Sequence, residues 1–173
     1  MTFFNNFPTL LYKLDTPTLK NGFVEVTDIF RRVAVKDQFI VNEIYLDTYT
    51  IKSGERPEDI AYELYDDPQL HWVILLINNI IDPYHDWYYT PEQLRSMVVQ
   101  RYTNPDAIHH YASKDNLRLF VDYNAADLAN GDIVAVTNLE YETLENDERQ
   151  EIKILHPRYL KEFTDQFKNL IGR

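Results

Sequence analysis

The chain has 173 residues, with 17 Lys and Arg against 28 Asp and Glu and a net charge of −11. That balance leaves no basic surface to release counterions from a phosphate backbone or to adhere to an anionic membrane. There is no Cys, which excludes disulfides, thiolate metal sites and Cys nucleophiles and leaves the redox compartment open, and the four Gly are too scattered to form a phosphate-cradling loop.

The start, Met1 to Pro8, has no basic region and no long apolar run, so no secretory signal is expected. Phe3, Phe4 and Phe7 lie on a segment too short to bury them by itself. They either fold back on the core or dock on another chain, and docking is the expectation. Asp15-Thr16-Pro17-Thr18 reads as turn or extended chain. Thr27 or Asp28 can cap a short helix over Asp28 to Val33. Between Phe39 and Ile51 β-branched and aromatic residues dominate, which predicts two short strands.

From Tyr49 to Leu94 the local signals are densest. Tyr49-Thr50-Ile51 reads as strand and Ser53-Gly54 as turn. Pro57-Glu58-Asp59 then opens a helix, since proline suits the first helical position and acids suit the positive end of the dipole. Ile60, Ala61 and Leu64 share one face of it, and it ends near Tyr65-Asp66-Asp67. Pro68 starts a second helix, in which Leu70, Val73, Ile74 and Ile77 follow the three-and-four spacing. Trp72, Leu75 and Leu76 fill its other faces, so it must be buried on several sides. The run from Trp72 to Ile77 is nevertheless far too short for a membrane span. Asn78-Asn79 ends the helix and Asp82 to Tyr89 forms an aromatic loop. Thr90-Pro91-Glu92-Gln93 is a capping box before a helix that carries Leu94, Met97 and Val98 to Arg101-Tyr102, where Asn104-Pro105 breaks it.

The last third reads as strands at Leu117 to Tyr123, Ile133 to Thr137, Leu139 to Leu144 and Glu151 to Leu155. Glu145-Asn146-Asp147-Glu148 is predicted as the turn of a hairpin between the last two. The acids Glu140, Glu142, Glu145, Asp147, Glu148 and Glu151 are read as its solvated face, with steering of a basic partner as the alternative. A helix from Pro157, with the stripe Leu160, Phe163, Phe167 and Leu170, closes the chain.

Tyr49-Thr50-Ile51-Lys52-Ser53-Gly54-Glu55, followed by Ile60-Ala61 and by Leu75-Leu76-Ile77-Asn78-Asn79-Ile80, closely resembles a LysM module. Its carriers are Tyr49, Ile51, Gly54, Ile60, Ala61, Pro68, Trp72, Asn78, Asn79 and Pro83. Where a glycan-binding LysM has Thr-Leu after the acid, this chain has Arg56-Pro57, and Asp67-Pro68 precedes an aromatic second helix. Together with Ile152-Lys153-Ile154-Leu155-His156-Pro157-Arg158-Tyr159 and the Phe-rich end, this variant is similar to the baseplate wedge protein 53 family of T4-like contractile-tailed phages (myoviruses), across about residues 25–170.

The resemblance implies an α+β fold: a central LysM-like βααβ unit, an additional antiparallel sheet and hairpin region, and a C-terminal helix. The corresponding division is an arm at 1–46, the LysM-like domain with its following helix at 47–103, and a C-terminal part at 104–173. It also implies a structural protein of the virion, made in the host cytoplasm and joining neighbouring wedge proteins around the baseplate hub. Its partners would be the large wedge proteins and the small sheath-like wedge protein, with hub or tail-tube proteins beyond them. No catalytic activity, cofactor, small-molecule substrate, nucleic acid or membrane belongs to that role. The alternative is a LysM-type peptidoglycan-binding module of a phage tail or wall-associated protein, against which Arg56-Pro57 counts.

Aromatic residues in loops and at chain ends are the least suited to a core. Partner contacts are therefore expected from Phe3, Phe4 and Phe7, from Tyr84, Trp87, Tyr88 and Tyr89, and from Phe163 and Phe167. For chemistry the candidates are few. Asp82, His85 and Asp86 cluster in the loop, and His109-His110 are adjacent, so on a regular element they point apart and do not share an ion. His71 is read as a packed, hydrogen-bonded imidazole or an interface residue. None of Ser53, Ser96 and Ser113 lies in a nucleophile elbow.

Overall fold

The computed structural model describes residues 3–16, 19–31, 33–35 and 44–172. The chain begins with a 3-10 turn at Phe3–Asn6, then β1 (Thr9–Thr16), β2 (Leu19–Thr27), β3 (Leu46–Thr50), α1 (Pro57–Tyr65) and α2 (His71–Ile77). It continues through α3 (Pro91–Tyr102), β4 (Ile108–Ser113), β5 (Asn116–Val121), α4 (Ala125–Asn130) and β6 (Ile133–Thr137). Last come α5 (Asn138–Arg149), β7 (Glu151–Leu155) and α6 (Leu160–Ile171). The fold is mixed α and β. Two compact units divide it. One holds the described residues of Met1–Tyr49, Glu55–Pro83 and Ile152–Arg173, the other Thr50–Gly54 and Tyr84–Glu151.

In the first unit β1 and β2 form an antiparallel ribbon from Thr9↔Thr27 to Thr16↔Leu19, a hairpin that composition alone does not announce. The expected turn over 15–18 lies partly outside the described residues. The helix expected from Asp28 is absent from the described residues there. The Asp28 carboxylate instead accepts from the Phe30 amide (3.3 Å) and from Arg31 Nε (3.1 Å), holding a tight turn, and Arg31 reaches the Ile171 carbonyl (3.1 Å). A side chain that satisfies its own backbone competes with the helix it could cap. Of the two strands expected between Phe39 and Ile51, the first lies outside the described residues and the second is β3.

The turn into α1 needs a left-handed residue, and Gly54 supplies it at φ +81°. The Arg56 amide donates to Asp59 at 3.0 Å, Pro57 takes the first helical position, and Asp66 ends the helix at φ 55°. Asp67 caps the 3-10 turn Pro68–Leu70 that leads into α2, and Asn78 with left-handed Asn79 (φ 54°) closes it, as the local signals predict.

What differs is the second strand of the βααβ order. The strand that pairs with β3 is β7, some seventy residues after α2. His156 donates to the Tyr45 carbonyl at 2.9 Å and Ile51 to the Gln150 carbonyl at 2.8 Å, so the two strands run antiparallel. Around this pair Leu46, Trp72, Val73, Ile77, Leu155, Phe167 and Ile171 form a buried core that also takes in Phe7. Ile171 replaces Leu170 on the apolar stripe of α6, and Leu170 is exposed.

In the second unit the capping box at Thr90 and Gln93 starts α3 as predicted. The sheet has the order β5-β4-β6, with both pairings antiparallel. Residues 139–144 are not a strand and 145–148 are not a turn: the whole stretch is α5, opened by a second capping box at Thr137 and Glu140. The Glu140 carboxyl is held below its ordinary pKa by the Thr137 backbone hydrogen bond.

Candidate functional site

Most of the aromatic positions expected to face partners are internal to the chain. Phe3 packs on Trp72 and Phe167 at ring separations of 5.5 and 5.7 Å, and Phe7 packs on Phe3 at 4.9 Å. Trp72 lies 4.5 Å from Phe167 and 6.4 Å from Phe163. The N-terminal segment therefore folds back instead of docking outward, because α2 and α6 offer it an aromatic slot. In the loop Trp87 is buried, Tyr88 and Tyr89 are half-buried, and Tyr84 is 80% exposed. Phe4 also faces outward.

The carriers of the LysM resemblance are structural in their contacts. Tyr49 donates to Glu55 at 2.8 Å, Ile51, Ile60 and Ala61 are fully buried, and Pro68 opens the 3-10 turn. Asn78 bridges α2 to β7 and Pro83 is half-buried. His71, half-buried, donates from Nδ1 to the Pro68 carbonyl at 2.9 Å.

The acidic stretch, read as a solvated face, is more divided than that. Asn138, Glu142 and Asn146 recur every four residues and form the buried side of α5, with Glu142 only 2% exposed. Glu142 accepts from Arg101 at 3.0 Å and from the Tyr102 hydroxyl at 2.7 Å, so the buried charge is compensated. Burial, then this carboxylate, pushes the Tyr102 phenol up to about 12. Asn146 holds the aromatic loop, accepting from the Tyr89 amide at 2.8 Å and donating to its carbonyl at 3.1 Å. Arg118 pairs with Glu148.

His109 and His110 converge instead of pointing apart. Their Nδ1 atoms lie 2.9 Å apart, because the β4–β6 register shifts between Ile108 and His110 and breaks strand alternation. His110 Nε2 faces the Leu117 carbonyl at 3.0 Å and therefore carries hydrogen, so in the neutral pair His109 donates. His109 stacks on Tyr141 and His110 on Phe120. Among the described residues no three acidic, His or Cys side chains gather as a metal site.

Several exposed apolar side chains gather on the ribbon. Residues opposite one another share a face, so Leu11 and Phe23 lie on one side with Lys13 and Glu25, and Tyr12 and Val24 on the other. Leu11 is 71% and Phe23 65% exposed, and Phe30, beyond the ribbon, is 88% exposed. Sequence reading overlooked this surface: Lys13 and Glu25 interrupt the Leu11–Phe23 face and mask it as an ordinary solvated strand face.

The profile of the family described as Base plate wedge protein 53 matches residues 2–127. A relative named baseplate wedge protein gp53, from Enterobacteria phage T4, is 30% identical over 190 aligned positions, which take in 98% of this chain and 96% of the relative.

Proposed function

The chain belongs to the base plate wedge protein 53 family, a component of the phage tail baseplate, and we propose that within the wedge it joins neighbouring wedge proteins. The observation that carries the joining role is the β1–β2 ribbon. A two-stranded hairpin is marginal in water unless something covers it, and this one presents Leu11, Tyr12 and Phe23 to solvent. Apolar groups of that size at such exposure are what a neighbouring chain covers. Phe4 and Tyr84, the outward members of the aromatic set, extend the same docking role.

Reconstitution of wedges from purified proteins of the same phage tests this. The double variant Leu11→Ser, Phe23→Ser should melt with the wild type yet enter wedges poorly. Equal incorporation of the two proteins would refute the assignment. Saturable binding of the wild-type chain to purified cell wall would favour a peptidoglycan-binding module instead.

A further inference from the structure

The second unit contains a cleft of about 370 Å³ between α3, α5 and the aromatic loop, lined by Gln100, Arg101, Glu142, Arg149, Tyr89 and Met97. Its charges are unequally committed. Glu142, at the buried side of α5, is already matched by Arg101 and Tyr102. Arg149, in the last turn of α5, has its guanidinium 5.8 Å over the Tyr89 ring and meets no carboxylate among the described residues. This is notable in a chain of net charge −11, on a helix that also carries Glu140, Glu145, Asp147 and Glu148. The nearby Arg118 takes Glu148, and Arg149 takes none of them.

The platform beneath Arg149 is fixed. Asn146 clasps the Tyr89 backbone from both sides, and the Tyr89 hydroxyl donates to the Tyr84 and His85 carbonyls at 3.0 and 3.3 Å. A guanidinium lying on a ring keeps its N–H edge free for a bidentate acceptor, and a preset geometry loses little entropy on binding. We propose that this cleft is a socket for a single carboxylate side chain on an acidic segment of a neighbouring wedge protein, received by Arg149 with Arg101 as the second cation. One uncommitted guanidinium in a cleft that also holds the buried Glu142 suits a monoanion. A phosphate dianion or a nucleic-acid backbone would meet repulsion from that carboxylate and from the chain's net charge.

The identity of the partner rests on the wedge assignment, so the experiment separates the two. Wild-type chain and the variants Arg149→Glu and Arg149→Lys are reconstituted with the purified neighbouring wedge proteins, with thermal melts as the fold control. Arg149→Glu should weaken incorporation about tenfold at unchanged melting temperature, with Arg149→Lys in between, because an ammonium cannot make the bidentate pair. In parallel, phenylglyoxal should modify Arg149 in the free wild-type chain and spare it in the assembled wedge, a readout independent of any variant's folding. Equal modification before and after assembly, or full incorporation of a folded Arg149→Glu chain, overturns the socket and leaves the wedge role standing. Failure of the wild-type chain to enter the wedge overturns both.

Discussion

Asn78 and Lys153 exchange two hydrogen bonds: the Asn78 side-chain amide donates to the Lys153 carbonyl at 2.7 Å, and the Lys153 amide donates to Asn78 Oδ1 at 2.8 Å. The same side chain also donates to the Ile74 carbonyl at 2.8 Å. One asparagine thus ends α2 and imitates a strand residue beside β7, across 75 residues of chain. Asn146, inside α5, makes the same two-way exchange with the Tyr89 backbone in the other unit. Asn78→Ala leaves the Lys153 amide and carbonyl unpaired, at about 1–3 kcal/mol for each group that stays buried. A denaturant midpoint equal to wild type would show that water replaces the clasp at no cost.

Trp72 separates volume from polarity. Its indole Nε1 is shielded from solvent with no hydrogen-bond acceptor among the described residues, while the rings of Phe3 and Phe167 pack on it. Trp72→Ala should cost about 3–5 kcal/mol by opening a cavity in the core. Trp72→Phe keeps a ring and removes the unpaired donor, so it should cost under about 1.5 kcal/mol. Similar losses for the two variants, measured by chemical denaturation, would mean the indole nitrogen has a partner after all.

The His109–His110 contact makes acid sensitivity an expected property. Burial, reinforced by the neighbouring His110 and by Arg101 and opposed by Glu142, holds the His109 pKa below its ordinary value. An unfolded histidine titrates near about 6.5. As pH falls through that value, the unfolded chain binds a proton that the folded chain resists, so stability declines until the folded group titrates as well. Above the unfolded pKa the site imposes no penalty. His109→Gln should flatten the fall in melting temperature on acidification from pH 7. A parallel curve for the variant would place the acid sensitivity elsewhere.

The Tyr102–Glu142 bond can be read spectroscopically. The Tyr102 phenol stands at about 12 through burial first and the Glu142 carboxylate second. Glu142→Gln removes the negative charge but keeps an acceptor, so Tyr102 should titrate closer to about 10, the usual phenol value. Ultraviolet titration of tyrosinate in the two proteins checks this, and identical late-titrating components would leave burial as the sole cause.

The sequence alone determined the stretch from β3 to α3, and did so by short-range chemistry. Gly54 is needed for a left-handed turn, Pro57 and Pro91 take first helical positions, and Asn78-Asn79 stops a helix. Each of these signals acts within a few residues, and each appears where expected. The family resemblance was legible for the same reason, since it rests on those motifs.

Tertiary structure decided the rest. Which strand pairs with β3 depends on contacts that no local spacing encodes, and β7 closes the pair only after the whole second unit has been traversed. Phe3 and Phe7 turn inward because α2 and α6, far apart in the chain, build an aromatic slot for them. α5 is the clearest case. Its buried side is Asn138, Glu142 and Asn146, which hydrophobic periodicity cannot see, and these side chains tolerate burial only because Asn104, Arg101, Tyr102 and Tyr89 satisfy them. A helix whose inner face is polar looks like a solvated hairpin until its partners are in place, and those partners exist only in the folded chain.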